Sequence, residues 1–456
     1  MTVSRSEVAR KLVHVGCGGF AFLLRFMSPG EAAGMALLAF AFNWQVLPRI
    51  GGKALWRGED VAKGYPVGIL LYPLSVLALV LWFWTALWMA AAVWALLAVG
   101  DGMASLLGQA LGGPRLPWNH RKSWIGFCSF VVFGTASAAV LIAWTARLPL
   151  SLDAWHVPRT LGVAFFLALA GAVVESLPTT LDDNLTVPVA GAFTLPLLAQ
   201  ADPALLLGDP DFARRLTVGL AVNTVIAVAA GLARAIDLAG GLSAIAIGTV
   251  VTACLGLPGL ALLIVFFVVG SAATRLGYAS KVSRGIAQDR GGARGWRHAW
   301  ANGAIPAFLA LMAGLAPPML RDLLVLAYAA SVATAAADTC SSEIGKAYGR
   351  RTVLITSLRA VPPGTEGAVS LEGTLAGLGG ALLVAFAGTG LGLYGAGAAL
   401  LVALAGLLGS LAESIVGVAA ERRGWMGNDL LNALNTAMGA AFVVLLVRLG
   451  SWSRIP

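Results

Sequence analysis

The chain has 456 residues, of which 58% are hydrophobic and only 12% are charged, and its formal net charge is +9. An ordinary soluble domain carries roughly 25% charged residues, so a soluble globular fold is excluded. The lysines and arginines lie in short clusters between apolar blocks, which is the positive-inside pattern of membrane proteins and not a nucleic-acid-binding surface. The composition therefore predicts an all-α, polytopic integral membrane protein whose first partner is the lipid bilayer, and it predicts no nucleic-acid partner.

The apolar blocks predict about fifteen transmembrane helices, the first of them retained and not a cleaved signal. The first seven spans are expected near 12–27, 31–47, 65–80, 82–100, 124–146, 160–178 and 187–200. Eight more are expected near 216–235, 240–256, 258–275, 299–317, 321–338, 369–388, 391–420 and 428–448. With the N-terminal end placed in the cytoplasm, these spans bring the basic clusters to the cytoplasmic side. The four cysteines are scattered and predict neither disulfides nor a metal site.

The two halves of the sequence repeat one order of motifs. Asp101 lies in GDGMASLLGQ, followed by RKSWIGFCSF, and Asp338 lies in AADTCSSEIGK, followed by GTEGAVSLEGTLAG. Glu175 follows Asp101 by 74 positions, and Glu413 follows Asp338 by 75. A duplication or a fusion of two related domains is the economical explanation. The predicted domains are residues 1–205 and 206–456, joined near the Pro-, Asp- and Arg-rich stretch at 201–215.

Acidic side chains inside or beside apolar helices are costly and mark candidate functional positions. Those of this chain are Asp101, Glu175, Asp182, Asp183, Asp338, Glu343, Glu413 and Asp429. For Asp182 and Asp183, in TTLDDN, helix capping is the alternative role. Carboxylates together with Asn184 or Asn432 offer the oxygen ligands that Mg²⁺ prefers.

Basic residues and glycines complete a predicted phosphoryl-transfer chemistry. Lysine and arginine can neutralise the charge that spreads over phosphoryl oxygens, and glycines at helix starts let backbone amides approach phosphate. The sequence contains neither GxxxxGK[ST] nor the catalytic-loop signature of protein kinases. The prediction is therefore phosphoryl transfer from a nucleotide at the cytoplasmic membrane face, without a P-loop or a protein-kinase site.

Three motifs of the first half occur in a family-specific order. They are RKLVH at 10–14, AVGDGMASLLGQALGG with LPWNHRKSWIGF at 98–127, and VESLPTTLDDNLTVPVAG at 174–191. Over about residues 5–200 the chain resembles the phytol kinase and dolichol kinase family of CTP-dependent lipid-alcohol kinases.

The second half carries a different set of motifs. They are GGLSAIAIGTVV at 240–251, ATRLGYASK with RGGARGWRHAWANG at 273–303, AADTCSSEIG at 336–345, ITSLRAVPPGTEGAVSLEGTLAG at 355–377, and LGSLAESIVG with NALNTAMGA toward the end. Over about 216–448 the chain resembles the phytyl-phosphate kinase family. Glu413 stands where that family leads us to expect aspartate.

The two resemblances together imply two consecutive kinase reactions. A prenyl alcohol would become its monophosphate and then its diphosphate, such as phytyl or geranylgeranyl diphosphate, with CTP as donor and Mg²⁺ as cofactor in a salvage role. The implied catalytic residues are Asp101, Glu175, Asp183, Asp338 and Glu413, and the implied metal ligands are Asp101, Asp182, Asp183, Asn184, Asp338, Glu343, Asp429 and Asn432. Predicted nucleotide and phosphate contacts are Arg10, Lys11, His14, His120, Arg121, Lys122 and Ser123, then Lys281, Arg290, Arg294, Lys346, Arg359, Gly364, Thr365 and Ser370.

Other interpretations remain open at this stage. Arg10, Lys11 and His14 share one helical face, but positive-inside anchoring would explain the two cations equally well. A transporter built from repeats also carries intramembrane carboxylates, although we expect those to lie near mid-membrane and not at helix ends. An enzyme that forms CDP-lipids would share CTP, Mg²⁺ and the lipid partner but would release pyrophosphate. The absence of organelle-targeting features favours a prokaryotic plasma membrane with cytoplasmic active sites.

Overall fold

The computed structural model describes residues 5–50, 56, 58–147, 156–233, 236–287 and 295–450. The chain divides into two compact units, Met1–Gln200 and Ala201–Pro456, so the division lies beside the boundary expected at 205. The division is geometric, and the activities expected of the two halves remain predictions.

Unit 1 consists of helices. They are α1 (Arg5–Cys17), α2 (Pro29–Ala41), α3 (Gly58–Lys63), α4 (Val67–Trp82), α5 (Leu87–Ala95), α6 (Asp101–Leu111), α7 (Trp124–Thr145), α8 (His156–Glu175) and α9 (Asp183–Gln200). Ser28 begins α2 with a capping box, in which its hydroxyl accepts from the Glu31 amide while the Glu31 carboxylate accepts from the Ser28 amide. Ser123 begins α7 by accepting from the Gly126 amide at 3.2 Å.

Helices α5 and α6 form one continuous run, Leu87–Leu111, because a π segment at Leu96–Gly100 joins them. Asp101 therefore lies inside a long helix, and the prediction that it ends an apolar helix at residue 100 is wrong. Sequence periodicity missed this because glycines at 100 and 102 and the polar residues that follow resemble a helix end. Single-turn π segments are frequent at functional sites.

Unit 2 is also mainly helical. Its helices are α10 (Pro203–Leu207), α11 (Phe212–Leu232), α12 (Leu238–Arg275), α13 (Tyr278–Ser283), α14 (Trp296–Leu315), α15 (Pro318–Tyr348), α16 (Leu371–Gly390), α17 (Ala396–Arg423) and α18 (Asn428–Leu449). At Gly256, φ is +71°, which kinks α12 and separates the two spans expected at 240–256 and 258–275. Asp338 lies inside α15, which continues for ten residues beyond the predicted span end.

One small sheet departs from the expected all-α fold. Strands β1 (Thr352–Leu354) and β2 (Ala368–Ser370) pair antiparallel between α15 and α16, with Thr352 opposite Ser370. The extended Ser370 then begins α16 by accepting from the Gly373 amide at 3.1 Å. The loop of this hairpin contains the PPGTEG sequence.

Within the described residues, nine helices are long and apolar enough to cross a membrane. They are Leu87–Leu111, Trp124–Thr145, Val157–Glu175, Phe212–Leu232, Leu238–Arg275, Pro318–Tyr348, Leu371–Gly390, Ala396–Ala420 and Asn428–Leu449. The remaining predicted spans correspond to shorter or less apolar helical segments, so the number of crossings, expected to be about fifteen, stays a prediction.

The same close contact between two helices occurs in both units. In unit 1, a Cβ on Gly108 of α6 would lie 3.1 Å from the Gly126 Cα of α7. In unit 2, a Cβ on Gly373 of α16 would lie 3.2 Å from the Gly345 Cα of α15. Each pair of glycines lets two helix backbones approach without side chains between them.

The sequence positions of these contacts match. Gly108 and Gly345 each follow the landmark aspartate by seven residues, and Gly126 and Gly373 each follow the capping serine by three. The hairpin between the helices is also repeated, because Arg115 bridges to Ser123 as Thr352 pairs with Ser370. We call this arrangement the paired-helix frame: a landmark aspartate on the first helix, a hairpin, and a capping serine on the second.

Candidate functional site

A cluster of three carboxylates lies at the paired-helix frame of unit 1. Asp101 comes from α6, Glu175 from the end of α8 and Asp183 from the start of α9. One carboxylate oxygen from each lies within 4.8 Å of those of the other two. Asp101 and Glu175 are 3% and 4% exposed, whereas the Asp183 side chain is 29% exposed and forms the open side of the cluster.

Helix α1 supplies a buried cation to Asp101. The Lys11 Nζ donates to the Asp101 carboxylate at 2.9 Å, and the His14 Nε2 lies 3.4 Å from the same oxygen. His14 is also within 2.7 Å of the Leu97 carbonyl oxygen in the π segment, and Tyr72 packs edge-on against its ring. Lys11 and His14 therefore lie on one face of α1, and both approach Asp101; their predicted contact with phosphate stays a prediction.

The hairpin before α7 supplies a second cation. The Lys122 ammonium forms an ion pair with Glu175 and lies 3.4 Å from the Asp183 carboxylate. Asn119 positions this hairpin by donating to the Ser176 and Leu177 carbonyls at 3.1 and 3.2 Å. The hairpin is therefore fixed to the end of α8, close to Glu175.

The charges around the cluster shift two pKa values outside the membrane-spanning helices. Burial alone would lower the pKa of Lys122, but Glu175 and Asp183 outweigh it and hold that pKa above its ordinary value. Burial raises the pKa of Asp183 to about 7, and the carboxylates of Asp101 and Glu175 act in the same direction, against Lys122. Asp183 thus changes charge near neutral pH.

The two sequence neighbours of Asp183 have different roles: Asp182 caps the helix, and Asn184 has a side-chain oxygen without a hydrogen-bond partner among the described residues. The Asp182 Oδ1 accepts from the Asn184 amide at 2.9 Å, the capping role that the sequence left open, and Asp182 is not part of the carboxylate cluster. The Asn184 Nδ2 donates to the Gly68 carbonyl at 3.2 Å, and its buried Oδ1 has no hydrogen-bond partner among the described residues. That oxygen is one more candidate ligand beside Asp183.

The other phosphate contacts predicted for unit 1 lie around the cluster without joining it. His120 and Arg121 are exposed on the hairpin, Arg10 is half-buried on α1, and Ser123 is buried with its hydroxyl engaged in capping α7. The donor set itself fits Mg²⁺, because three carboxylates within 4.8 Å of one another, and the amide oxygen of the residue that follows Asp183, are all hard oxygen ligands. Asp101, Glu175, Asp183 and Asn184 would hold the ion, which would supply positive charge to phosphate oxygens.

Unit 2 has a polar cleft of about 170 Å³ at its own paired-helix frame. Asp338 and Lys346 of α15, Glu413 of α17 and Asn432 of α18 line it, and their predicted roles stay predictions. The hairpin contributes Gly364, Thr365 and Ser370, which also belong to the predicted phosphate contacts.

Lys281 and Glu343, a predicted phosphate contact and a predicted metal ligand, lie away from the cleft. Lys281 and Glu343 are each 1% exposed and form an ion pair with one another, and neither lines the cleft. The Lys281 ammonium also donates to the Thr274 carbonyl at 2.6 Å, beside the end of α12. The pair holds α13 and the end of α12 against α15, so neither residue is placed to contact a phosphate or a metal in the cleft.

Other predicted residues of unit 2 lie elsewhere. Asp429 does not line the cleft, whereas its neighbour Asn428 does, because the two point to different sides of the first turn of α18. Arg359 is exposed in the hairpin loop and is not among the lining residues. Arg290 and Arg294 lie outside the described residues.

Glu366 is the main lining residue that sequence reasoning missed. It lies in the PPGTEG loop and faces the same cleft as Asp338 and Glu413. The sequence predicts phosphate contacts at Gly364 and Thr365 of this loop, but it does not reveal which residues surround Glu366 in space. His298 and Asn302 of α14 line the cleft as well.

Comparisons with known proteins place the chain among membrane proteins. A family model described as integral membrane protein DUF92 matches residues 221–440. An uncharacterized membrane protein of Synechocystis is 41% identical over 199 residues, which are 43% of this chain and 77% of that protein. Protein VTE6, chloroplastic, of Arabidopsis thaliana is 37% identical over 212 residues, 45% of this chain and 63% of the relative.

Phytol kinase 1, chloroplastic, of Arabidopsis thaliana is 34% identical over 207 residues, 41% of this chain and 65% of that protein. The chain thus spans slightly less than two thirds of both plant proteins. No solved structure matches it. The family model, the coverage of the Synechocystis relative and the apolar helices together show that the chain belongs to the DUF92 family and is a multi-pass integral membrane protein.

Proposed function

We propose that this chain is a membrane lipid kinase that acts twice on one isoprenoid substrate. Unit 1 transfers a phosphoryl group to a prenyl alcohol such as phytol or geranylgeraniol, and unit 2 transfers a second one to the monophosphate. CTP is the proposed donor and Mg²⁺ the proposed cofactor. The observation that carries the proposal is the paired-helix frame, which presents carboxylates beside a hairpin in each unit.

The geometry of unit 1 supports phosphoryl transfer to a hydroxyl group. Lys11 and Lys122 place two cations around three carboxylates, so the site can hold a cation and the donor phosphates together. Asp183 is the most exposed of the three carboxylates and is the proposed base toward the prenol hydroxyl. In the reaction the hydroxyl oxygen bonds to the terminal phosphorus, its proton goes to Asp183, and the nucleoside diphosphate leaves.

The relatives support the substrate class. A homologue named phytol kinase acts, by its name, on phytol, an isoprenoid alcohol whose hydrocarbon tail partitions into lipid bilayers. Because its monophosphate keeps the hydrocarbon tail in the membrane, a second site in the same chain would meet it at a high effective concentration. The second activity, the fusion of two kinase domains and the cytoplasmic placement of both sites belong to the proposal.

The test uses purified full-length protein in detergent with geranylgeraniol, Mg²⁺ and γ-labelled CTP, and thin-layer separation of the lipids. We expect wild type to form the diphosphate, Asp338→Asn to stop at the monophosphate, and Asp101→Asn to act only on supplied monophosphate. Asp211→Asn is the matched control, because Asp211 is exposed and its carboxylate forms an ion pair with the neighbouring, equally exposed Arg214. Absence of labelled lipid with CTP, ATP and UTP would refute the kinase proposal, and release of pyrophosphate would indicate CDP-lipid formation.

One reason for rejecting a transporter built from repeats, the expected position of the carboxylates at helix ends, does not hold in the structure. Asp101 and Asp338 lie inside long helices, so position along a helix does not separate a carrier from a kinase. We favour the kinase because Lys11 and Lys122 lie among the carboxylates of unit 1, and lysine ammonium groups form strong charge-assisted hydrogen bonds with phosphates. Uptake of labelled prenyl phosphate into vesicles, without chemical conversion, is the outcome that would favour the transporter.

A further inference from the structure

The cleft of unit 2 is lined by three carboxylates, and none of them forms an ion pair within 4 Å with a lysine or arginine of the described residues. Asp338, Glu366 and Glu413 all line it. Among the described residues, none of the three carboxylates has a hydrogen-bond or ion-pair partner. Lys346 lines the same cleft but pairs with none of them within 4 Å.

Glu413 is the most buried of the three carboxylates. It is 8% exposed, lies in the apolar run of α17, and presents its unpartnered carboxylate to the cleft. Burying a carboxylate without a counter-charge is unfavourable, so a cation bound in the cleft would stabilise the ionised form of Glu413.

Glu366 and Glu413 approach one another on the same side of α17. A Cβ on Gly417 would lie 3.8 Å from the Glu366 Oε2 and 3.9 Å from the Glu413 Oε1. The charges of Asp338, Glu366 and Glu413 also interact with one another. All three groups line one cleft, but their oxygens do not all lie within 4.8 Å of one another as those of the unit 1 cluster do, which suits an ion that keeps some of its water ligands.

The loop that carries Glu366 is fixed against α17. Gly367 has φ of +70°, and a Cβ there would lie 2.1 Å from the Val418 Cγ2 and 2.7 Å from the Ser414 carbonyl oxygen. Only glycine permits this close approach in the left-handed region. The amide of Ile355 also donates to the Gly367 carbonyl at 3.1 Å, which ties the loop to the start of the hairpin.

In unit 1, a lysine of the hairpin provides the counter-charge for a buried carboxylate. Lys122 precedes the capping Ser123 and pairs with Glu175, whereas Val369 precedes the capping Ser370. The hairpin of unit 2 is ten residues longer between its paired positions, and this extension contains Glu366. At its frame, unit 2 has valine where unit 1 has Lys122, and it has an additional carboxylate in the longer hairpin.

We propose that Asp338, Glu366 and Glu413 bind a divalent cation, and that Glu366 is the ligand contributed by the hairpin extension. The binding of the ion can be tested without substrate, but its role in phosphoryl transfer rests on the proposed function. Oxygen-only ligands of this kind select Mg²⁺ or Mn²⁺ over softer metals.

The probe is Mn²⁺ alone, titrated into purified full-length protein in detergent and followed by the electron paramagnetic resonance signal of the free ion. The Asp183→Asn background weakens the unit 1 cluster, so that the remaining binding reports on unit 2. In this background we expect Glu366→Gln to raise the Kd by about tenfold or more, and Glu366→Asp to raise it less. Glu372→Gln is the matched control, since Glu372 lies in the first turn of α16 outside the cleft, and its Kd should stay within about twofold.

An unchanged Kd in Glu366→Gln, with an unchanged thermal unfolding midpoint, overturns the site. A second measurement, conversion of prenyl monophosphate to diphosphate, separates this failure from failure of the proposed function. If Mn²⁺ binding requires Glu366 but wild type forms no diphosphate, the cation site stands and the kinase function of unit 2 fails. If diphosphate forms equally well in wild type and Glu366→Gln and the Kd values agree, the kinase stands and Glu366 is not a ligand.

Discussion

Replacing Lys122 with methionine tests the first site most directly, because this one cation faces both Glu175 and Asp183. The contact with Asp183 at 3.4 Å corresponds to about 5 kcal/mol at an effective dielectric constant of ~20. The desolvation of the ammonium offsets much of that attraction, and the Lys122 side chain is 32% exposed. We therefore expect the free energy of unfolding to fall by ~1–3 kcal/mol, because Glu175 is left buried without its counter-charge.

The assay is thermal unfolding of the purified protein, combined with separate measurements of the two phosphorylation steps. Lys122→Met should lower the unfolding midpoint and the first step while leaving the second step unchanged. Added Mg²⁺ should raise the midpoint of the variant more than that of wild type, since the ion replaces the missing positive charge. Arg214→Met is the control, because its ion pair with Asp211 is exposed and should contribute less than ~1 kcal/mol. A Lys122→Met protein with normal stability and a normal first step would refute this account of the site.

Three further predictions concern single side chains. The folded-state pKa of Asp183 is raised from 3.8 to about 7, so ionisation of this carboxyl destabilises the fold as pH rises through this range. Without divalent cations, the thermal unfolding midpoint of Asp183→Asn should lie a few degrees above that of wild type at pH 8 and close to it at pH 4. Equal midpoints at pH 8 would contradict this prediction. Asn435 is fully buried, and neither its Oδ1 nor its Nδ2 has a hydrogen-bond partner among the described residues. Asn435→Leu should therefore raise the free energy of unfolding by ~1 kcal/mol, measured by chemical denaturation. A loss of stability would show that the amide has a partner. Lys281→Met should lower the free energy of unfolding by ~3–5 kcal/mol because it leaves the Glu343 carboxylate buried without its counter-charge, and the double variant Lys281→Met/Glu343→Leu should recover stability. Lost activity at unchanged stability would instead favour a phosphate-binding role for Lys281.

Features that depend on spacing along one helix were predictable from the sequence. The i, i+3 spacing of Lys11 and His14 placed them on one face of α1, and both approach Asp101 in the structure. Long apolar runs likewise predicted membrane helices, including two segments separated at Gly256. Glycine there has positive φ, and its neighbour Pro258 marks the break in the sequence as well.

Features that depend on contacts between distant segments were not predictable. Lys122 and Glu175 are 53 residues apart, and nothing in either segment specifies the other as its partner. The same holds for Lys281 and Glu343, 62 residues apart, which resembled site residues because charged groups in apolar surroundings are usually functional. Here the pair has a structural role, and only the packing of α13 against α15 shows it.

The two frames suggest how one scaffold could serve a neutral and an anionic acceptor. A prenyl alcohol brings no charge, so the two lysines of unit 1 need to balance only the donor phosphates and the carboxylates. A prenyl monophosphate would bring negative charge into a cleft where Val369 occupies the position that Lys122 has in unit 1, and where three carboxylates face the single lysine Lys346 among the lining residues. Such a cleft would repel both substrates unless divalent cations entered with them, since like charges in a partly buried site cost several kcal/mol. If unit 2 acts as proposed, its positive charge comes mainly from bound ions, whereas unit 1 carries much of its own.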